Sequence, residues 1–381
     1  LIQPSRAFGR GFLCAKSIRG ISMANRPKTS WRLVGATALL TVPFIALSLD
    51  IAEDDPSVSE SEILPKAASS LLLDIARTDS GFVAVGERGH VLISTDGKTW
   101  EQVATPTRST LSTVSAQGAS VWAAGHDGII LFSADSGRTW QRQRAQPWSA
   151  DSQELTNGSP VLDTLFTSPT EGYAVGAYSL LLKTEDAGTT WTALSVGGSS
   201  PAAVVDMTAS DTGTFDDSAL ELGAESDPHL NAITRTESGV LLVMGERGAG
   251  FRSADGGASW SKLRLPYAGS MFGLITLGGE RVLAFGLRGN VYQSDNAGGS
   301  WRKIESGTEI SLIGGTVGAD GTVVLVGSNG TLLARRVGEE NFSAKNIQLG
   351  SGQTPALSAA VATDGGYLLT SDLGAVNTNV Q

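Results

Sequence analysis

A short phrase ending in tryptophan, written five times along the chain, limits what this sequence can fold into more than any other feature. Ser94-Thr-Asp-Gly-Lys-Thr-Trp100 returns as Ser133-Ala-Asp-Ser-Gly-Arg-Thr-Trp140 and Thr184-Glu-Asp-Ala-Gly-Thr-Thr-Trp191. It returns again as Ser253-Ala-Asp-Gly-Gly-Ala-Ser-Trp260 and Ser294-Asp-Asn-Ala-Gly-Gly-Ser-Trp301. A unit of strands and turns repeated at a spacing of about forty residues implies a propeller or solenoid. Within the phrase, Asp or Asn bonds backbone N–H groups ahead of it, Gly takes positive φ, and Ser/Thr ties the far side of the turn. The Trp then enters the next strand and is expected to be largely buried between neighbouring sheets.

A second marker, a Gly-x-x-Gly turn between two apolar runs, accompanies the phrase. It falls at Gly86/Gly89, Gly125/Gly128, Gly176/Ser179, Gly245/Gly248, Gly286/Gly289, Gly327/Gly330 and Ser371/Gly374, in steps of 39, 51, 69, 41, 41 and 44 residues. Alternating strands such as Phe82-Val-Ala-Val85 precede each turn. Four strands per unit and seven units predict an all-β fold, a seven-bladed β-propeller of four-stranded antiparallel blades. The seventh unit has room for three strands, near Leu357–Val361, Gly366–Thr370 and Ala375–Val380. Because an open edge exposes unpaired backbone groups, the propeller is expected to be closed by an N-terminal strand from Ser61–Lys66.

Three segments are expected. Residues 1–48 form an N-terminal extension with an export signal or anchor: Arg26, Lys28 and Arg32 precede a mostly apolar run from Leu33 to Leu49, with small residues at Ala46 and Ser48. Met23 is a candidate true start. Residues 49–62 read as a flexible acidic tether. Residues 63–381 form the propeller, with insertions at about 144–160 and 196–228, the second rich in acid from Asp206 to Asp227. The expected location is therefore the periplasm or another extracytoplasmic space.

The first 48 residues hold seven Lys+Arg and no acid, so the rest of the chain has 21 bases against 38 acids, a net charge of −17. Nucleic acid is a poor partner for that surface. Cys14 is the only cysteine, and His90, His126 and His229 lie in three different units, so neither a disulfide framework nor a metal site is expected, and no cofactor.

Both insertions fall between a fourth strand and the next first strand, so they share a face with the Gly-x-x-Gly turns and oppose the Trp-phrase turns. On that face three turns read Gly-x-Arg-Gly, placing Arg88, Arg247 and Arg288 at equivalent positions around the channel mouth. Asp127, Tyr178, Asn329 and Leu373 take that position in the other blades. A broken arginine ring on an acidic protein suits a carboxylate, a phosphate or an acidic chain end. The plain alternative is that each Arg is a solvated turn residue or pairs with an acid of the neighbouring blade.

The Gly-x-x-Gly turn followed by the Trp phrase resembles the BNR (Asp-box) repeat. The form Gly245-Glu-Arg-Gly248 after Asp227-Pro-His-Leu-Asn-Ala-Ile233 is similar to the photosystem II stability/assembly factor family, in its branch from non-photosynthetic bacteria. That resemblance implies a non-enzymatic, monomeric scaffold that binds an integral membrane protein or complex, such as a transporter, through an arginine patch falling on Arg88, Arg247 and Arg288. Asp-box propellers also resemble sialidases, which need a Tyr nucleophile with an acidic partner. No Arg-Ile-Pro signature is present, and Tyr173, Tyr292 and Tyr367 fall in expected strands. A glycan- or polymer-binding propeller is the other alternative.

Overall fold

In the computed structural model, residues 55–149, 157–196 and 227–378 are described, and all of them belong to one compact unit, Asp50–Gln381. They form seven antiparallel sheets arranged as a β-propeller. Blade 1 comprises Leu72–Thr78, Gly81–Gly86, Val91–Ser94 and Glu101–Val103. Blades 2 to 6 repeat that order, beginning at Leu111, Val161, Leu230, Met271 and Leu312. Blade 7 has three strands, Leu357–Thr363, Gly366–Ser371 and Gly374–Thr378.

The local sequence explains the layering. Second strands such as Phe82-Val83-Ala84-Val85 are buried throughout, because each blade is covered on both faces by its neighbours and needs a continuous apolar run. Fourth strands are short and, in all blades that have one except blade 3, charged, as in Gln141–Arg144 and Arg302–Ile304, which suits the outer edge of a sheet. First strands contact those of the neighbouring blades all the way round, from blade 1 to blade 7 and back, and so form the inner ring.

Every first strand carries an irregularity of register at one position, for example between Leu72 and Asp74, Leu111 and Thr113, and Leu357 and Ala359. Such bulges turn side chains out of the regular pleat, and here polar residues use the freedom to bond the adjacent blade. Ser112 Oγ donates to Val161 O at 2.5 Å, Asn231 Nδ2 to Met271 O at 2.9 Å, and Ser358 Oγ to Leu72 O at 2.8 Å. Asp74 Oδ2 accepts from Val114 N at 2.8 Å, and Asp163 Oδ2 from Ile233 N at 2.9 Å. The inner ring is thereby stitched by side chains.

The Trp-phrase turns form as their sequence dictates. Asp135 accepts from the N–H groups of Arg138 and Thr139 and from Thr139 Oγ1, while Gly137 N donates to Ser133 Oγ. These turns also latch blades together. Trp122 Nε1 of blade 2 donates to Ala187 O in the turn of blade 3, and Tyr173 OH of blade 3 donates to Gly256 O in the turn of blade 4. Arg252 Nε bonds Ala297 O, and Asn377 Nδ2 bonds Gly97 O between blades 7 and 1.

Three expectations need correction. Only Trp140 among the phrase tryptophans is buried, whereas Trp100, Trp191, Trp260 and Trp301 are half-buried. They stand where the exposed outer strand begins, so one side of the indole remains at the rim. Second, no strand from Ser61–Lys66 closes blade 7. That segment runs along blade 1, with Ser61 N bonding Thr105 O and Leu64 N bonding Gln102 Oε1. The ring closes instead by packing: Ala359 and Leu368 of blade 7 share a core with Leu72, Ile75 and Leu92 of blade 1. Third, the described part of the acidic stretch, 55–62, is not a free tether. Arg108 N bonds Pro56 O at 2.7 Å, and Arg108 pairs with Glu62 at 3.2 Å. Residues 1–54, most of the second insertion and part of the first lie outside the described residues.

Candidate functional site

The Gly-x-x-Gly turns share one conformation. In blade 1, Gly86 N bonds His90 O and His90 N bonds Glu87 O, while Glu87 N reaches Leu71 O, just before the first strand. A side chain on Gly86 would collide with that Leu71 carbonyl, which is why glycine opens the turn. The third residue then takes positive φ: 54° for Arg88, 56° for Asp127, 53° for Tyr178, 54° for Arg247, 55° for Arg288 and 56° for Asn329. Asp and Asn tolerate that region, but for Arg and Tyr it costs on the order of 1–2 kcal/mol. Three turns therefore hold an arginine where glycine or asparagine would be less strained, and residues kept in such a state concentrate at functional sites.

Arg88, Arg247 and Arg288 are exposed on this face. Arg88 and Arg288 make no side-chain hydrogen bond or ion pair among the described residues. Arg247 and Arg288 sit on the adjacent blades 4 and 5, and Tyr267 lies between them, its OH donating to Leu287 O at 3.4 Å. Arg88 lies across the ring on blade 1. Blade 2 does not continue the cationic series: Asp127 is held by Ser109 Oγ at 2.6 Å. The arginines thus form a pair and a separate single site.

The face carries features that the repeat pattern had not singled out. Trp148, in the first insertion, is 72% exposed, and Tyr178 is 51% exposed. Tyr178 meets His229 edge-on at 5.1 Å, and His229 Nδ1 lies 3.8 Å from Glu246, the residue before Arg247. The insertions are anchored to the same turns, with Gln146 N on Asp127 O and Ser179 N on Pro228 O. Their non-repeating sequence is the one signal that set them apart.

Groups with chemical potential elsewhere are occupied by the scaffold. Burial pushes Asp74 up to about 6 and Asp163 up to about 7, against backbone N–H bonds that favour the carboxylate. Both carboxylates nevertheless accept bonds from neighbouring strands. Tyr173 bonds Glu171 at 3.1 Å, the residue types a sialidase would need. Burial, then the Glu171 charge, pushes that phenol up to about 12, the wrong direction for a nucleophile, and it lies in a seam between blades. His90 is buried, with Nδ1 3.1 Å from Ser70 Oγ, and burial lowers its basicity. Among the described residues no group of three or more His, Cys, Asp or Glu side chains could hold a metal. Also among these residues, no helix is long and apolar enough to cross a membrane.

Comparison with known proteins agrees with this geometry. Residues 57–148 and 142–351 match the family described as photosynthesis system II assembly factor YCF48. A structure of YCF48 bound to D1 peptide is similar, with 17% identity over 82% of this chain and 92% of that one, at a TM-score of 0.56. YCF48 from Cyanidioschyzon merolae gives 16% identity over 83% and 97%, also at 0.56. The WD40 propeller domain of Doa1 reaches 0.59 with 11% identity, over 84% and 94%. At these identities the structural likeness establishes the fold alone. No curated protein matches the sequence.

Proposed function

This chain belongs to the photosynthesis system II assembly factor YCF48 family, and from that premise we propose that it is a non-enzymatic scaffold that docks a membrane-protein partner on its arginine face. The observation that carries the reading is the strained positive φ of Arg88, Arg247 and Arg288 on one face of a chain with net charge −10. Arginine at those positions gains nothing for the turn itself. Its fork can hold a carboxylate or phosphate by paired hydrogen bonds. A YCF48 bound to a D1 peptide supports a membrane-protein partner in general. The basic flank and apolar run of residues 26–49 favour an extracytoplasmic location.

Capture from detergent-solubilised membranes tests the docking face. R88E/R247E/R288E is expected to keep its melting temperature, since exposed turn changes usually stay within about 0.5 kcal/mol each. Capture is expected to fall at least about tenfold, because repulsion replaces attraction at the contact. Changing Arg138, Lys262 and Lys303 to Glu, away from that face, is expected to do much less. Equal capture by wild type and the triple variant would refute the docking face. Location is tested separately: residues 23–60 fused to a reporter active only outside the cytoplasm are expected to give signal, and Leu39→Asp to abolish it. A fusion that stays in the cytoplasm and gives no reporter signal would remove the location and the membrane partner together.

A further inference from the structure

On the face opposite the arginines, the repeat breaks its own pattern at blade 1. The Trp phrase of that blade, Ser94 to Trp100, is one residue shorter than the other four. In blades 2, 3 and 4 the phrase Asp uses both oxygens within the turn. Asp135 Oδ2 accepts from Thr139 Oγ1 and Asp186 Oδ2 from Thr190 Oγ1, each at 2.7 Å, and Asp255 Oδ2 accepts from Ser259 Oγ at 2.5 Å. In blade 1 the turn's bonds to the carboxylate all fall on Asp96 Oδ1, from Ser94 Oγ, Lys98 N and Thr99 N. Asp96 Oδ2 and Thr99 Oγ1 are left without their bond among the described residues. The bonds from Thr99 N and Lys98 N hold Asp96 below the usual carboxylate range, so its second oxygen is an acceptor open to a donor from outside.

Two grooves flank this shortened turn. One of about 700 Å³, between blades 7 and 1, is lined by Asp79, Asp96, Lys98 and Asp364. The other, of about 180 Å³ between blades 1 and 2, is lined by Thr99, Trp100, Glu101 and Arg138. Thr78, Ser80, Phe82 and Thr95 line both, so the grooves adjoin across the hairpin tips of blade 1. Much of this lining is uncommitted. Asp79, Lys98 and the hydroxyls of Ser80 and Thr95 make no side-chain hydrogen bond or ion pair among the described residues. Arg77 and Asp364 pair with each other at 3.1 Å.

The lining selects the chemistry of a ligand. Carboxylates and cations alternate along it, so a charged ligand would meet a like charge wherever it found an opposite one. A neutral molecule with closely spaced hydroxyls satisfies both signs, because each hydroxyl donates to a carboxylate and accepts from an ammonium or another hydroxyl. Trp100 is half-buried, with one side of the indole open at the rim. An aromatic surface beside polar groups suits a ring that has apolar C–H faces and a polar edge. We propose that this face carries a saccharide-binding site, which takes an unbranched oligosaccharide across blade 1. Its hydroxyls bond Asp79, Asp96 Oδ2 and Lys98, and one sugar ring lies on Trp100. The site is separate from the arginine face, and both can be occupied at once.

Calorimetric titration of the full chain with cellohexaose, maltohexaose and the hexamer of N-acetylglucosamine tests the site. At least one of them is expected to bind with a submillimolar Kd. Its monosaccharide is expected to show no measurable binding, because a single ring cannot occupy both grooves. D79A/K98A changes two exposed side chains, so it is expected to keep the melting temperature of wild type. It is expected to weaken the hexasaccharide about tenfold or more, as for lost bonds to charged groups. Trp100→Ala is expected to weaken it similarly, and its thermal melt shows whether blade 1 is intact. The D79A/K98A result decides the matter even if that variant unfolds. R88E/R247E/R288E is expected to bind the hexasaccharide as wild type does. Absence of binding by all of the hexasaccharides at millimolar concentration would overturn the proposal. Equal binding by wild type and D79A/K98A, or of hexasaccharide and monosaccharide, would overturn it as well.

Discussion

Replacing Trp122 with alanine is expected to destabilise the propeller by about 3–5 kcal/mol, the range for a fully buried large aromatic. Trp122 is completely buried on the second strand of blade 2. Its indole stacks on Phe166 of blade 3 at 3.5 Å and 9°, and it is tilted against Phe132 at 5.2 Å. Its Nε1 also donates to Ala187 O, which keeps its second bond, from Gln143 Nε2 at 2.8 Å, so truncation leaves a cavity and removes one hydrogen bond between blades. A protein of this size is expected to lose roughly 5–15 °C in melting temperature. Trp191→Ala is expected to cost less, about 1–3 kcal/mol, because Trp191 is half-buried and its Nε1 has no partner among the described residues. Urea titration of both variants tests this ordering, and a smaller loss at Trp122 than at Trp191 would contradict it.

The second large effect is a dependence of stability on pH. Asp74 and Asp163 titrate near 6 and 7 in the folded chain because burial disfavours their charge, against an ordinary value of 3.8. Between that value and about 7 the folded state binds more protons than the unfolded state, so these two groups contribute stability at low pH that is lost as pH rises through 6 and 7. Their combined contribution from pH 5 to pH 8 is on the order of 3–4 kcal/mol. His90 works in the opposite sense. Its basicity is lowered by burial, so its contribution is present above the usual histidine range and lost as pH falls. The carboxylate effect is therefore read as a difference: the change in unfolding free energy from pH 5 to pH 8 in wild type minus that in D74N/D163N. Parallel profiles for the two proteins would show that the inner-ring carboxylates do not titrate in this window. A steeper loss with rising pH in wild type is the expected result.

The seven-fold repeat was legible in the sequence because each turn is specified by a few neighbouring residues. Ser133, Asp135, Gly137 and Thr139 bond one another within seven positions, so the phrase reports its own geometry wherever it occurs. The turn at Gly86–His90 is encoded the same way, and equivalence between repeats was enough to put Arg88, Arg247 and Arg288 on one face. The pattern could not reveal the cross-blade bonds. Asp74 and Val114, or Tyr173 and Gly256, are neighbours only once the blades are stacked. Trp148 and the Tyr178–His229 contact were hidden for the same reason, since they belong to segments outside the repeat.

Sequence alone therefore determined the blade, the number of blades and the face on which they differ, because alternation, glycine at positive φ and the side-chain bonds of the Trp-phrase turn act within one unit. Tertiary structure decided where the ring closes and what remains open. Glu60–Leu64 had two edges to choose between, and it lies along blade 1 because Gln102, Thr105 and Arg108 satisfy its backbone there. The edge of blade 7 is left without a fourth strand among the described residues, and packing of Leu368 and Ala359 on blade 1, with the bonds of Ser358 to Leu72 and of Asn377 to Gly97, joins the two ends of the ring. A choice between competing edges is a comparison of whole interfaces, and no single stretch of sequence contains both sides of it.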